Sequence, residues 1–542
     1  MRFRFILPAL LTVVFAVLTA RGVTPVVGKD KLRKLVKLPS ISFKADFVYD
    51  LEQGFTLGSG EQDATTEIRA LRKGMKRDVS DAESYERLGD LYASISQDKN
   101  AKVAWGRAVE LYRKRVEMQP GDGALLAGLG HSLQGVGRSE EAESVLRQAV
   151  QLAPKAWKGW VALGRFLDMG ARREIYDKPS PAVEALNGAV VADRQAINQL
   201  SPNQVSLARR RMDEAGDCYE KAVAAGPDES EVYFRRGMHR ALRHVLLNQI
   251  RLAAGEQRED VDALGDCFSQ ESLADLQHAS QLSPQDYQLM GGTAVFEIYT
   301  VSARNGRMNW KEFSWNSLPD KSQRSIRATI TRLENLAQSP EPQLAAGALE
   351  VLGVLQGPIL HERRNCIATL RRALALDPSR EQSWEMIAGM QVQTGDYAEL
   401  LSTCEDRIKE KDAARSHFLM AKAYEKLRQW DSSEEQILIA VKQDANSITS
   451  NLGLAALLLK RSEGDASVLA DANTWLTRAE YLYNKAPAGQ KSQGLIIDLT
   501  LTRVIYFALT DDVDTARQWA KAVIAVDKEN NLAQEILSAL EY

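Results

Sequence analysis

The feature that most constrains this chain is a pattern of small and large residues within residues 123–154. Leu126, Leu129 and Leu133 are spaced so that they share one face of a helix, and Gly130 stands beside them without a side chain. A short glycine-containing break follows, and then a second amphipathic stretch that a proline ends. The pattern therefore predicts a helix-turn-helix unit whose two helices approach closely at their small residues.

The same spacing returns in the next part of the chain. Trp160, Leu163 and Gly164 follow Leu126, Leu129 and Gly130 at one constant interval. A pair of helices of this kind cannot bury its apolar face alone, so neighbouring pairs must stack to complete a core. The recurrence thus predicts an array of repeats.

The spacing resembles the tetratricopeptide repeat, a helix-turn-helix unit of 34 residues. The positions that carry the resemblance are Leu126, Leu129, Gly130, Leu133, Ala142, Leu146, Ala149 and Pro154. The resemblance implies an all-α fold, a superhelical solenoid of tetratricopeptide repeats with helical insertions. It also implies that partners bind in a groove lined by the first helix of each pair.

Length and charge narrow the class of protein. At 542 residues the chain exceeds the usual size of one compact domain, and the repeats favour an elongated array. The formal net charge of -3 gives no basic field, so nucleic-acid binding is not expected. The four cysteines are widely spaced and form no CxxC pair, which indicates small apolar packing residues. A bridge between Cys366 and Cys404 is the alternative.

Residues 1–22 predict a signal peptide or membrane anchor. Two arginines precede an uncharged apolar run from Phe5 to Ala20, which would rise only about 24 Å as a helix, short of a bilayer core. We therefore expect an exported protein, periplasmic or otherwise extracytoplasmic, cleaved before Val23. The alternative is a protein anchored in the membrane by this segment, and the lysines that follow the run complicate its orientation.

Residues 23–80 do not fit the repeat and are predicted to be a basic linker with a short non-repeat segment. The basic stretch GKDKLRKLVKLP suits a solvated tether or, as the alternative, contact with anionic lipid head groups. The β-branched and aromatic residues that follow it indicate an extended segment or a short hairpin.

The repeat pattern divides the rest of the chain. Residues 81–286 form a predicted N-terminal block with insertions near 171–205 and 248–270. Residues 287–342 form a helical region in which the pattern is faint, and residues 343–542 form a C-terminal block that ends in a capping helix.

No motif for catalysis, cofactor binding or metal binding is recognisable. The six histidines form no HExxH and no i, i+4 pair, and the glycines near residue 123 lack the ending of a phosphate loop. No GxSxG is present. We therefore predict no catalytic residues, no cofactor and no metal; an enzyme with a site in the central insertions is the least favoured alternative.

Binding is the remaining function, and the resemblance assigns a groove to it. The predicted partner-binding residues are Glu83, Glu86, Asp90, His131, Gln134, Lys158, Arg165, Asp168, Phe234 and Met238. Their mixed character suits an extended peptide. Some tetratricopeptide repeat proteins clamp a C-terminal carboxylate, but the matching places here hold Glu86, Asp90, Ala127 and Ala162, so that clamp is not predicted.

A basic face formed by Arg236, Arg240 and Arg243 offers a second surface. It suggests contact with an acidic partner or an anionic glycan, against the alternative of solvated charge. The sequence therefore predicts a non-enzymatic interaction scaffold of the cell envelope that binds a protein or peptide. An envelope component that binds polysaccharide or lipid is the alternative, with membrane contact through the N-terminus.

Overall fold

The structure is a computed structural model, which describes residues 29–39, 47–50, 54–57, 60–75, 81–95, 97–175, 200–253, 270–302, 314–486, 493–527 and 530–540. The apolar run of residues 1–22 and most of both predicted insertions lie outside these residues. The chain divides into two compact units. We call Phe43–Met390 the N-terminal unit, and Gln391–Tyr542 together with Met1–Ser42 the C-terminal unit.

The described residues are mostly helical. The first elements are α1 Lys29–Leu35, β1 Phe47–Asp50, β2 Gly54–Leu57 and α2 Gly60–Met75. The next helices are α3 Ala82–Ser94, α4 Asp98–Met118, α5 Gly123–Gly135, α6 Ser139–Leu152, α7 Trp157–Ile175, α8 Pro202–Ala225, α9 Ser230–Ala253, α10 Gln270–Leu282, α11 Tyr287–Ser302, α12 Asp320–Leu336, α13 Pro342–Val354, α14 Arg363–Leu376 and α15 Glu381–Thr394. The last are α16 Tyr397–Glu410, α17 Ala414–Lys426, α18 Trp430–Gln443, α19 Ile448–Arg461, α20 Ala466–Lys485, α21 Gln493–Leu509, α22 Val513–Val526 and α23 Asn531–Leu540.

Consecutive helices pack as hairpins, as the spacing predicts. In the N-terminal unit the pairs are α3 with α4, α5 with α6, α7 with α8, α9 with α10, α11 with α12 and α13 with α14. In the C-terminal unit they are α17 with α18, α19 with α20 and α21 with α22. Each unit is therefore a stack of helix-turn-helix repeats, and the prediction of an all-α repeat fold is confirmed.

The hairpin of α5 and α6 shows why the sequence folds this way. Asp122 caps α5 by accepting hydrogen bonds from the amides of Ala124 and Leu125. A Cβ at Gly130 would lie 2.5 Å from Leu146 Cδ2, so only a glycine lets the two helices meet. Ala142 and Leu146 are fully buried at the same contact.

Several helices are longer than those of the α5–α6 hairpin. The second helix of the first repeat, α4, has 21 residues against 14 in α6, so it is about two turns longer. The first helix of the fourth repeat, α9, has 24 residues. At the first predicted insertion, α7 ends at Ile175 and α8 begins at Pro202, behind a capping box at Ser201.

First helices of successive pairs also contact one another. In the N-terminal unit α3, α5, α7 and α9 lie side by side in that order. In the C-terminal unit α19 contacts α21, and α21 contacts α23. We call each of these rows the first-helix face of its unit.

The short hairpin before the repeats is also confirmed. β1 and β2 pair antiparallel, with Phe47 opposite Leu57 and Asp50 opposite Gly54. β2 lies beside α11 and α2.

None of the helices among the described residues combines the length and apolar character needed to cross a membrane.

Candidate functional site

The first-helix face of the N-terminal unit brings together most of the predicted groove residues. Glu86 and Asp90 stand on α3, His131 and Gln134 on α5, Arg165 and Asp168 on α7, and Met238 on α9. Hydrogen bonds join these residues to each other and to aromatic residues of the second helices. The face is therefore built across four successive repeats.

Asp90 is the centre of the first group on this face. Its Oδ1 accepts a hydrogen bond from Trp105 Nε1 at 3.1 Å and lies 2.8 Å from His131 Nε2. Burial opposes ionisation of this carboxyl, but His131 and the hydrogen bonds hold its pKa well below its usual range. Asp90 is thus a carboxylate whose position is fixed by two neighbouring helices.

Glu86, one turn earlier on α3, has the opposite electrostatic character. Its carboxyl accepts a hydrogen bond from the Tyr112 hydroxyl. Burial raises the pKa of Glu86, and burial together with the Glu86 charge raises the pKa of Tyr112 above its ordinary value. The two neighbouring acids on α3 therefore differ in how readily they ionise.

Asp168 is the centre of a second group. Its Oδ2 accepts a hydrogen bond from the Tyr219 hydroxyl at 3.0 Å, and its Oδ1 lies 2.8 Å from His239 Nδ1. The Tyr219 and His239 rings stand 5.1 Å apart. Burial, and next the Asp168 charge, raises the pKa of Tyr219. This group repeats the pattern of Asp90, with one aromatic donor and one histidine.

Arg165 lies between these two groups and differs from the other charged residues of the face. It makes no hydrogen bond and no ion pair with any residue that the structure describes. Burial lowers the pKa of Arg165, and the positive charge of Arg235 lowers it further. Arg235 itself lies 2.6 Å from Glu231. Arg165 is therefore a cation without a close partner among the described residues.

A small cavity adjoins Arg165. Its volume is about 30 Å³, room for one or two waters, and its walls include the side chains of Arg172, Arg235, Met169, Met238 and Leu242. Gln134 Nε2 lies 2.9 Å from the Met169 sulfur beside it. The cavity therefore combines positive charge with flexible apolar walls.

The other predicted groove residues lie around this centre. Glu83 and Lys158 are exposed, and Lys158 lies over the ring of Trp157, at 5.8 Å from its centroid. Phe234 is partly buried under the Arg235 guanidinium, 5.1 Å from the ring centroid. Met238 is buried. Phe234 thus packs beneath the face, and Met238 contributes a wall of the cavity.

The basic face is electrostatically different from the prediction. Arg236 lies 2.7 Å from both Glu220 and Asp275, Arg240 lies 2.9 Å from Asp275, and Arg243 lies 2.8 Å from Asp213. Because acidic residues of neighbouring helices neutralise all three arginines, they do not form a free basic strip for a glycan or an acidic partner.

The largest departure from the sequence-based expectations is in residues 29–39, which we call the docked segment. Leu32 is 0%, Val36 1% and Leu38 5% exposed, so the prediction of a solvated tether or lipid-facing stretch is wrong here. α1 contacts α19, α21 and α23, which form the first-helix face of the C-terminal unit. Leu32 and Val36 belong to the same core cluster as Leu501 and Ile505.

Polar contacts hold the docked segment in place. Lys460 Nζ donates to the carbonyl of Val36 at 3.0 Å and also pairs with Glu425 at 2.9 Å. Lys422 Nζ donates to the carbonyl of Pro39 at 3.0 Å. At the other end Lys29 lies 2.7 Å from Asp511. The segment is therefore fixed at both ends and along its apolar side.

No group of acidic, histidine and cysteine residues among the described positions could hold a metal ion. Cys218, Cys366 and Cys404 are buried and form no disulfide, which agrees with packing residues and leaves the Cys366–Cys404 bridge unformed; Cys267 lies outside the described residues. Burial raises the pKa of Cys218 and of Cys366 to about 12, so neither is an activated thiolate.

Comparisons with known proteins agree with the repeat pattern. Residues 124–155 match the family model described as tetratricopeptide repeat. This segment is a tetratricopeptide repeat. No curated protein matches the sequence.

Solved structures of tetratricopeptide repeat proteins are similar at low identity. Yeast Tom70 is 13% identical, with 89% of this chain and 92% of that chain covered and a TM-score of 0.35. The repeat domain of P58(IPK) is 12% identical, with coverage of 85% and 97% and a TM-score of 0.23. YrrB, described as having an unusual peptide-binding site, is 15% identical, with coverage of 38% and 95% and a TM-score of 0.26. Similarity this distant carries no inference about what the chain binds.

Sequence reasoning missed the aromatic and histidine partners of the two buried aspartates. Tyr219 occupies the large-residue position of its repeat, as Leu146 does in the second repeat, so the pattern assigns it only a packing role. His239 stands in the same stretch as the basic face but points to Asp168. Neither polar role has a spacing signal, because the partners lie 51 and 71 residues away.

Proposed function

We propose that this protein is a non-enzymatic interaction scaffold of the cell envelope, which binds an extended segment of a partner protein on the first-helix face of the N-terminal unit. The observation that carries the proposal is Arg165. Its guanidinium offers five donors, and no described residue accepts a close hydrogen bond from it. A partner that supplies an acceptor would give this guanidinium a close hydrogen-bond partner.

The surroundings of Arg165 favour an acidic side chain of the partner. Three arginines border the cavity, and Asp168, the one carboxylate among its described lining residues, is already engaged by Tyr219 and His239. The cavity is small and suits a compact group such as a carboxylate. Bidentate Arg–carboxylate pairing supplies both strength and orientation in a partly water-excluded site. This supports a peptide with an internal Asp or Glu.

The face can hold a partner without large rearrangement. Asp90 and Asp168 are each fixed by two hydrogen-bonding partners from neighbouring helices, so the surface around Arg165 is ordered before binding. A preformed surface loses less conformational entropy when a partner binds. Fixed carboxylates on either side would also repel acidic residues placed in the wrong register.

Photo-crosslinking in the native cells tests this proposal. A photoreactive residue at Lys158, on the first-helix face, is expected to crosslink to a partner, whereas one at Lys114, exposed on the second helix α4, is not. The crosslink at position 158 should disappear in Arg165→Glu and persist in Lys102→Glu, whose site is exposed on the second helix α4. Equal crosslinking from both positions, or no effect of Arg165→Glu, would contradict the proposal.

The envelope location rests on the apolar run of residues 1–22 and needs its own test. Cell fractionation with mass spectrometry of the N-terminus should find a chain that begins near Val23 in an extracytoplasmic fraction. Retention of residues 1–22 in membranes would show the anchored alternative, and a soluble cytoplasmic chain that keeps Met1 would refute the envelope location.

A further inference from the structure

The docked segment shows what kind of peptide the C-terminal unit accepts. Leu32 on α1 and Val36, directly after the end of α1, are both buried in one cluster of the unit, and Leu38 enters a second cluster with Phe418 and Ile437. Lys31 and Lys34 of the same helix are exposed. The bound sequence is therefore a basic amphipathic segment.

The face recognises the main chain of the segment as well as its side chains. Lys460 and Lys422 donate to the carbonyls of Val36 and Pro39, which any peptide in this conformation would present. Glu425 pairs with Lys460 and holds its ammonium group in place. The recognition is thus not tied to the covalent position of residues 29–39 in this chain.

The segment does not fill the site. A cavity of about 350 Å³ remains between it and the face, with Leu35, Val36 and Lys37 on one side and Ile497, Leu501 and Ile505 on the other. Lys422 and Asp498 stand at its polar edge. A peptide with larger apolar side chains at these positions would bury more surface than the docked segment does.

We propose that the first-helix face of the C-terminal unit is a second binding site, for amphipathic segments of partner proteins, and that residues 29–39 are its intramolecular ligand. A partner binds by replacing this segment. The proposal concerns contacts within the C-terminal unit alone, so it does not depend on the function proposed for the N-terminal unit.

Covalent attachment explains how a segment of moderate affinity can occupy the site. The segment is part of the same chain as the face, so one copy of it is present for every site. A free peptide of the same sequence has to compete with this attached copy and does not readily displace it. Only a partner with higher affinity, such as one that fills the cavity, would do so.

Fluorescence polarisation with a labelled peptide of residues 28–40 tests the proposal on the full chain. We expect the peptide to bind the double variant Leu32→Asp/Val36→Asp at least tenfold more tightly than the unaltered chain. A matched variant, Lys31→Glu/Lys34→Glu, alters two exposed residues of the same segment and should behave like the unaltered chain. A peptide that carries Asp at both apolar positions should bind none of them.

Two results would overturn the proposal. One is equal binding by the unaltered chain and the double variant, which would mean that the segment does not occupy the site. The other is a double variant that is folded by circular dichroism and still does not bind the peptide.

A second experiment keeps the proposal testable if the double variant fails to fold. A protease recognition sequence placed within residues 40–46 allows the segment to be cut from the rest of the otherwise unaltered chain. We expect the cut fragment to co-elute with the protein in gel filtration and to be released by an excess of the free peptide. Immediate separation after cleavage would overturn the proposal.

Discussion

The first-helix faces of the two units are built from the same kind of helices but differ in the chemical character of their side chains. In the N-terminal unit Asp90 and Asp168 each accept a hydrogen bond from an aromatic side chain and contact a histidine, so the face is polar and self-supporting. In the C-terminal unit the face is apolar, and Leu32 and Val36 of the docked segment cover it. A polar face can remain exposed to water, whereas an extended apolar face favours a covering partner.

This difference shows that the repeat pattern determines how the helices pack but not whether the surface they form is polar or apolar. Helix packing needs only the small and large residues of the contact positions, such as Gly130 and Leu146. The residues between them are free to vary, and they decide whether a face carries a fixed charge network or an apolar docking surface.

The largest expected effect comes from removing the apolar anchor of the docked segment. Leu32→Ala should lower the free energy of unfolding of the C-terminal unit by about 2–4 kcal/mol, because Leu32 is fully buried. Denaturant titration of the full chain measures it. Lys31→Ala, at an exposed neighbour, should change stability by less than about 0.5 kcal/mol. Equal effects of the two substitutions would show that Leu32 does not anchor the docked segment and would contradict the proposed difference between the two faces.

The next effect probes the helix contact of the N-terminal unit. Gly130→Ala should destabilise this unit by about 1–3 kcal/mol, because the added Cβ would stand 2.5 Å from Leu146 Cδ2. Gly106→Ala is the matched control in α4, where the nearest atom would be 4.0 Å away. We expect it to stabilise the helix by about 0.5–1 kcal/mol. Thermal unfolding of both variants should show opposite shifts; shifts of the same sign would contradict the close approach.

A smaller effect, of about 1–2 kcal/mol, should appear when Asp90 loses its charge. The pKa of Asp90 is lowered in the folded state, so its stabilising contribution is present above about pH 4 and is lost as the pH falls through the folded-state pKa. Asp90→Asn should therefore be less stable than the unaltered chain at neutral pH, with a gap that narrows under acid conditions. A gap independent of pH would show that His131 and Trp105 do not stabilise the charged form.

The smallest effect on stability is expected at Arg165. Because it has no close partner among the described residues, Arg165→Met should change the free energy of unfolding by less than about 0.5 kcal/mol. The same variant should lose the crosslink at position 158, which separates a binding role from a structural one. A large loss of stability would show that Arg165 is part of the fold.

The sequence predicts the repeats well because their signal is local. Leu126, Gly130, Ala142 and Leu146 lie within two turns of a helix or one hairpin of each other, so spacing alone reveals their contacts. The predicted groove residues lie on α3, α5, α7 and α9, the first helices of their pairs, and their role in binding stays a prediction. The charge pairs that neutralise Arg236, Arg240 and Arg243 were missed, because Asp275 and Asp213 come from other helices.

The docked segment was beyond such reasoning for a physical reason. Its contacts with Lys422 and Lys460 span 383 and 424 residues of sequence. Both lysines bind main-chain carbonyls, which every residue has, so the sequence does not single these positions out. The one local hint is the spacing of Leu32, Leu35 and Val36, which places three apolar residues on one side of a short helix. The same stretch contains many lysines, and these favour a solvated tether more strongly than the apolar spacing favours a buried helix.

Hydrogen exchange with mass spectrometry, on the unaltered chain and on Leu32→Asp, tests the central difference between the two faces most directly. We predict slow exchange in α21 and α23 of the unaltered chain, faster exchange in both helices of the variant, and no change in α5 and α7. Identical exchange of α21 and α23 in the two proteins would mean that the segment does not cover this face and would contradict the account.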